Sequence, residues 1–112
     1  MAMESQPIGV VRVARPVLTT IVLSTALQIR GVVRMAHTSD QWSRLLGRDV
    51  PNQGINLTVK DNTVTADLYL IVESGSNIVE VGTAVQEEVA TAIENMIGMQ
   101  VQAVNVYIQD VA

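Results

Sequence analysis

The chain contains no cysteine, so disulfides, thiolate metal sites and cysteine nucleophiles are excluded. It has one histidine, His37, too few imidazoles to complete a structural zinc site. His37 stands beside Thr38, Ser39 and Asp40. A catalytic triad needs groups that converge in space, and neighbours in one loop rarely do, so a solvated loop is the expected setting. Charged residues make up 16% and the net charge is -4, without the basic surplus of a nucleic-acid binder. No GxxG loop of the KH type is present, and Gly31, Gly75, Gly82 and Gly98 are too far apart for a phosphate loop. The longest apolar run, residues 17–27, is diluted by Thr19, Thr20, Ser24 and Thr25. A spanning helix needs about 20 apolar residues, so direct membrane insertion is not expected. The first residues lack a positive n-region, and Pro7 and Arg12 break up the apolar stretch near them, so no secretory signal is expected.

What is present is a small globular chain. Its 112 residues and 48% apolar content suit one domain with a real core. A tail at residues 1–7 is expected to be disordered, and residues 8–112 to form a single α+β domain. Charge is divided along the chain. Residues 1–56 hold six Arg against three acids, or +3, and residues 57–112 hold Lys60 against eight acids, or -7. Such a division permits head-to-tail contact between copies.

Residues 8–14, rich in valine around Gly9 and Arg12, read as a strand. Pro16 fits the first turn of a helix running through Leu18, Val22, Leu27 and Ile29, with Gly31 as its C-terminal cap. That helix is apolar nearly all round, which predicts burial on more than one side, including against another copy. Val32 to Met35 is a short apolar piece, either a small extra strand or the end of a turn. Trp42, Leu45 and Leu46 are spaced for a short amphipathic helix within a long connection. Residues 49–54 read as loop.

The clearest local signal is a hairpin. Ile55, Leu57 and Val59 alternate with polar residues, Asp61-Asn62 forms a two-residue turn, and Val64, Ala66, Leu68, Leu70 and Val72 alternate in return. The turn pairs Val59 with Val64, Leu57 with Ala66 and Ile55 with Leu68. Asn77 or Ser76 then caps a helix with Ile78, Val81, Val85, Val89, Ile93 and Met96 in one stripe, ending near Gly98. Met96 and Met99 are expected to fill gaps in the core. Residues 101–108 form the last strand.

The expected order is strand, helix, strand, strand, helix, strand. This is an α+β split βαββαβ plait, ferredoxin-like, with a mixed sheet, two main helices on one face and a short extra helix in the long connection. The opposite sheet face carries Asp67, Tyr69, Ile71, Asn105 and Tyr107, a candidate interaction surface, since aromatics and sparse charge mark interface cores. Glu80, Glu87, Glu88 and Glu94 lie off the apolar stripe and read as a solvated face rather than an acid–base pair. Two rivals share the strand order. An ACT-like ligand-binding module would place its ligand turn at Arg15-Pro16-Val17-Leu18, but the glycine it needs there is missing. An acylphosphatase-like enzyme needs a Gly-rich loop that Arg15 alone does not supply.

An ordered set of short motifs carries a resemblance. Gly31-Val32-Val33-Arg34-Met35, Gly54-Ile55 and Asp67-Leu68-Tyr69-Leu70-Ile71-Val72 come first. Asn77-Ile78, Val85-Gln86-Glu87-Glu88-Val89, Ile97-Gly98-Met99 and Val104-Asn105-Val106 come after them. Across residues 8–111 the chain resembles the alkaline shock protein family of bacterial envelope-stress proteins. The resemblance implies a cytoplasmic, non-enzymatic protein without catalytic residues, cofactor or metal. It further implies a homo-oligomer and, in some relatives, retention at the inner membrane face by a membrane-anchored protein partner. Asp67, Tyr69, Gln86 and Asn105 occupy family-typical positions.

Overall fold

The computed structural model describes residues 8–37 and 52–112. The expected tail at residues 1–7, the helix around Trp42 and the loop at 49–51 lie outside the described residues. The elements run α1 (Arg15–Leu27), β1 (Val32–Met35), a single 3-10 turn (Asn52–Gly54), β2 (Ile55–Lys60), β3 (Thr63–Val72), α2 (Ile78–Ala92) and β4 (Gln100–Val111).

The hairpin forms in the expected register, with Val59 opposite Val64, Leu57 opposite Ala66 and Ile55 opposite Leu68. Asp61 and Asn62 both take positive φ, 52° and 61°, as a two-residue turn matched to strand twist requires. Asn77 caps α2, its side chain accepting from the Glu80 N–H at 3.1 Å. Pro16 sits in the first turn of α1. Thr20 and Thr25 are accommodated in that helix by donating to the Pro16 and Ile21 carbonyls one turn back.

The first expected strand is not there. Residues 8–14 carry no regular structure, and the plait's leading position is empty among the described residues. Val32–Met35 is a strand instead, giving the order helix, strand, strand, strand, helix, strand. A strand has two edges, and β3 uses both. β4 runs parallel to it along its whole length on one side. On the other, β2 pairs antiparallel with residues 63–68 and β1 with residues 70–72, the two lying end to end. The plait topology would have put residues 8–14 beside β3, and β4 holds that place.

At the junction of β1 and β2 stands Gly54, with φ +71°. A Cβ there would meet the Ala36 and Tyr69 carbonyl oxygens at 2.8 Å. Those two residues are themselves joined by an Ala36 N–H to Tyr69 carbonyl bond of 2.8 Å. Only a residue without a side chain lets β2 start so close to the end of β1.

Both helices cover the same sheet face. Leu18, Val22 and Ala26 of α1 and Val81, Val85 and Val89 of α2 form one buried cluster with Val64, Ala66, Leu68, Leu70 and Val72 of β3. The stripe on α2 departs from expectation at its end. Residues Ile93–Ile97 form a π-turn closed by the Gly98 N–H on the Ile93 carbonyl, which adds one residue to the turn. The inward position therefore passes from Met96, which is 69% exposed, to Ile97, which packs on the core with Met99. Likewise α1 ends at Leu27 rather than near Ile29, and Gln28 takes the C-cap. Its all-round apolar surface is buried on one side only among the described residues, leaving Val17 and Leu27 exposed.

Candidate functional site

The sheet face turned away from the helices collects most of the expected surface residues. Parallel pairing sets Asp67 opposite Asn105 and Tyr69 opposite Tyr107. Alternation then puts all four on one face. The Asn105 side-chain amide donates to the Asp67 carboxylate at 2.9 Å. The Tyr69 and Tyr107 rings stack at 4.8 Å between centroids and 19° between planes. Thr65 joins them on β3, and Asn56 and Thr58 extend the face on β2, both exposed. Two neighbouring strands thus offer a fixed aromatic pair beside a fixed polar pair.

Ile71 does not belong to that surface. It is buried together with Ala36, with Tyr69 packed against them. Ala36, just past the end of β1, covers it there. The register that builds the face rests on two extra residues in β4. Gln102 and Gln109 each interrupt the one-to-one pairing with β3. Such bulges have no strong local signature, so sequence alone leaves the alignment of β4 on β3 open.

Other expected sites stay dispersed. His37 is exposed at the end of β1, and Glu87, Glu88 and Glu94 are exposed on and just beyond α2. Among the described residues no three His, Cys, Asp or Glu side chains gather as a metal site would need. The Arg15 guanidinium donates to the Leu57 carbonyl at 2.5 Å, so the position where an ACT-like module would bind ligand is tied to β2. An open groove of about 550 Å³ lies between the α1–β1 turn and the start of α2, lined by Arg30, Glu73, Ser74, Ser76 and Glu80 among others. Gln86 on α2 has a contact that sequence reasoning did not reach: its amide donates to the Val104 carbonyl of β4 at 3.0 Å.

No helix among the described residues is long and apolar enough to cross a membrane. In fold the chain is similar to the zinc forms of two single-residue variants of MamM CTD. Each matches with a TM-score of 0.52, covering 85% of this chain and 84% of theirs, at 15% and 14% identity. In sequence it is similar to Spy1614 of Streptococcus pyogenes serotype M6, at 31% identity over 92% of this chain and 88% of that protein. YloU of Bacillus subtilis is 27% identical over the same shares, and YqhY of Bacillus subtilis 26% identical over 94% and 78%. The model of the alkaline shock protein 23 family, described by a cell envelope-related function, matches residues 3–112. The chain therefore belongs to the alkaline shock protein family expected from its motifs, whose function is related to the cell envelope.

Proposed function

We propose that the chain is a non-enzymatic envelope-stress protein that works by contact. It associates with itself, or with a membrane-anchored protein at the cytoplasmic membrane face, through the open sheet face of Asp67, Tyr69, Asn105 and Tyr107. The carrying observation is the stacked pair Tyr69–Tyr107 beside the Asp67–Asn105 bond. Side chains already fixed by one another lose little freedom on docking, and tyrosine offers large contact area with a polar tip. Among these four residues Asp67 carries the one charge, and Asn105 already donates to it. A family function related to the envelope supports action near a membrane.

Light scattering at low and high salt tests this reading. The natural chain is expected to associate, and Tyr107→Glu to weaken association by placing a charge at the centre of the face. A natural chain that stays monomeric at high concentration in both salts, and captures no membrane protein from its host, refutes the reading.

A further inference from the structure

We infer that residues 8–14 are a donor strand, and that they pair with the outer edge of β4 in a second copy of this chain. The inference rests on the self-association reading and goes beyond it, adding a strand-edge contact between copies to the open sheet face. The first observation is the edge. Among the described residues no strand pairs with the side of β4 that faces away from β3. Inward bonds at Gln100 and Ala112, together with the bulges at Gln102 and Gln109, fix which way each backbone amide points. Alternation between the bulges turns Val104, Val106 and Ile108 outward. Gln86 satisfies the Val104 carbonyl with its side chain. The outward N–H and C=O groups of Val106 and Ile108 have no backbone partner among the described residues. A long unpaired edge is a template for another strand.

The second observation is the segment. Ile8, Val10 and Val11 are 103%, 76% and 94% exposed, and Val13 is 43% exposed. Branched apolar side chains of this kind are strand formers, and here they meet solvent in a run. Extended, seven residues reach about 23 Å, enough to cover the outward positions of β4.

Geometry disfavours pairing of residues 8–14 with the chain's own edge. Arg15 ties the start of α1 to β2, on the far side of β3 from that edge. Residues 10–13 line a hollow with Val59, Asn62, Ile97 and Met99, so they run across the hairpin end of the sheet. Crossing three strands at about 4.8 Å each uses roughly four of the seven residues, leaving too few to pair. Charge selects the second copy's orientation. Residues 8–36 hold Arg12, Arg15, Arg30 and Arg34 and no acid, while residues 78–112 hold five acids and no Lys or Arg. A strand from the first region on an edge in the second is complementary, whereas β4 against β4 sets acidic helices beside each other. The contact joins two different surfaces, so it closes as a two-fold pair when the two copies exchange segments reciprocally and extends to further copies when they do not.

Val11→Pro tests the donor. It removes one N–H and disfavours the extended pairing geometry at an exposed, unpaired position, so the monomer's circular dichroism and melting should be unchanged. Light scattering should show association weakened about tenfold or more, and hydrogen exchange should show residues 104–108 protected as the natural chain is concentrated but not in Val11→Pro. A natural chain that never associates overturns this inference together with the self-association reading. If the natural chain and Val11→Pro associate equally, the donor strand is overturned and the open-face reading survives. Weakened association without protection at residues 104–108 overturns the assignment of the edge.

Discussion

Replacing Gly54 by alanine is expected to cost about 2–3 kcal/mol, a large fraction of a small domain's stability. Two contributions add. An alanine at φ +71° costs about 1–2 kcal/mol relative to glycine. The new methyl would also lie 2.8 Å from the Ala36 and Tyr69 carbonyl oxygens, both backbone atoms that cannot swing aside. Relief requires pulling β1 from β3 and stretching the Ala36–Tyr69 bond, worth about 1 kcal/mol. Gly82→Ala is the internal control. Gly82 lies within α2, and a methyl there would meet nothing nearer than Val106 at 3.8 Å. Helix propensity then predicts a gain of about 0.5–1 kcal/mol. Urea denaturation at fixed protein concentration measures both. At about 4–8 °C per kcal/mol for a domain of this size, the two variants should melt on opposite sides of the natural chain. If Gly54→Ala loses less than about 1 kcal/mol, the close approach of β1 and β2 along one edge of β3 is refuted.

Asn77→Ala should destabilise the protein by about 1 kcal/mol through loss of the α2 cap, visible as a lower urea midpoint with an unchanged slope. Asn62→Gly should raise the melting temperature by a few degrees, a gain of about 0.5 kcal/mol, because position 62 keeps its positive φ without a side chain. A double-mutant cycle with Asp67→Ala and Asn105→Ala should return a coupling of about 1 kcal/mol in urea denaturation; a coupling near zero would mean that the two side chains do not hold each other.

The hairpin was legible because two independent signals agree: a two-residue turn at Asp61-Asn62 and an alternation that buries Leu57 and Ala66 only in one register. Helix α2 was legible for a similar reason, with a cap at Asn77 and a stripe from Val81 to Ile93. Residues 8–14 misled because strand composition says that a segment suits an edge, not that an edge is available. In this chain β4 fills one side of β3, and β1 and β2 divide the other. Asp67, Tyr69, Asn105 and Tyr107 came from alternation, which is local. Their pairing across strands depends on where Gln102 and Gln109 interrupt the ladder, which is not. Ile71 shares their alternation, yet Ala36 covers it, a contact between residues 35 positions apart.

The end-to-end arrangement of β1 and β2 brings the chain back to where it departed. Residue 36 and residue 54 meet on the same stretch of β3, so whatever joins them begins and finishes at one place. A perturbation that lifts either strand end from β3 therefore loosens the other, so the two short strands of that edge should gain and lose hydrogen-exchange protection together.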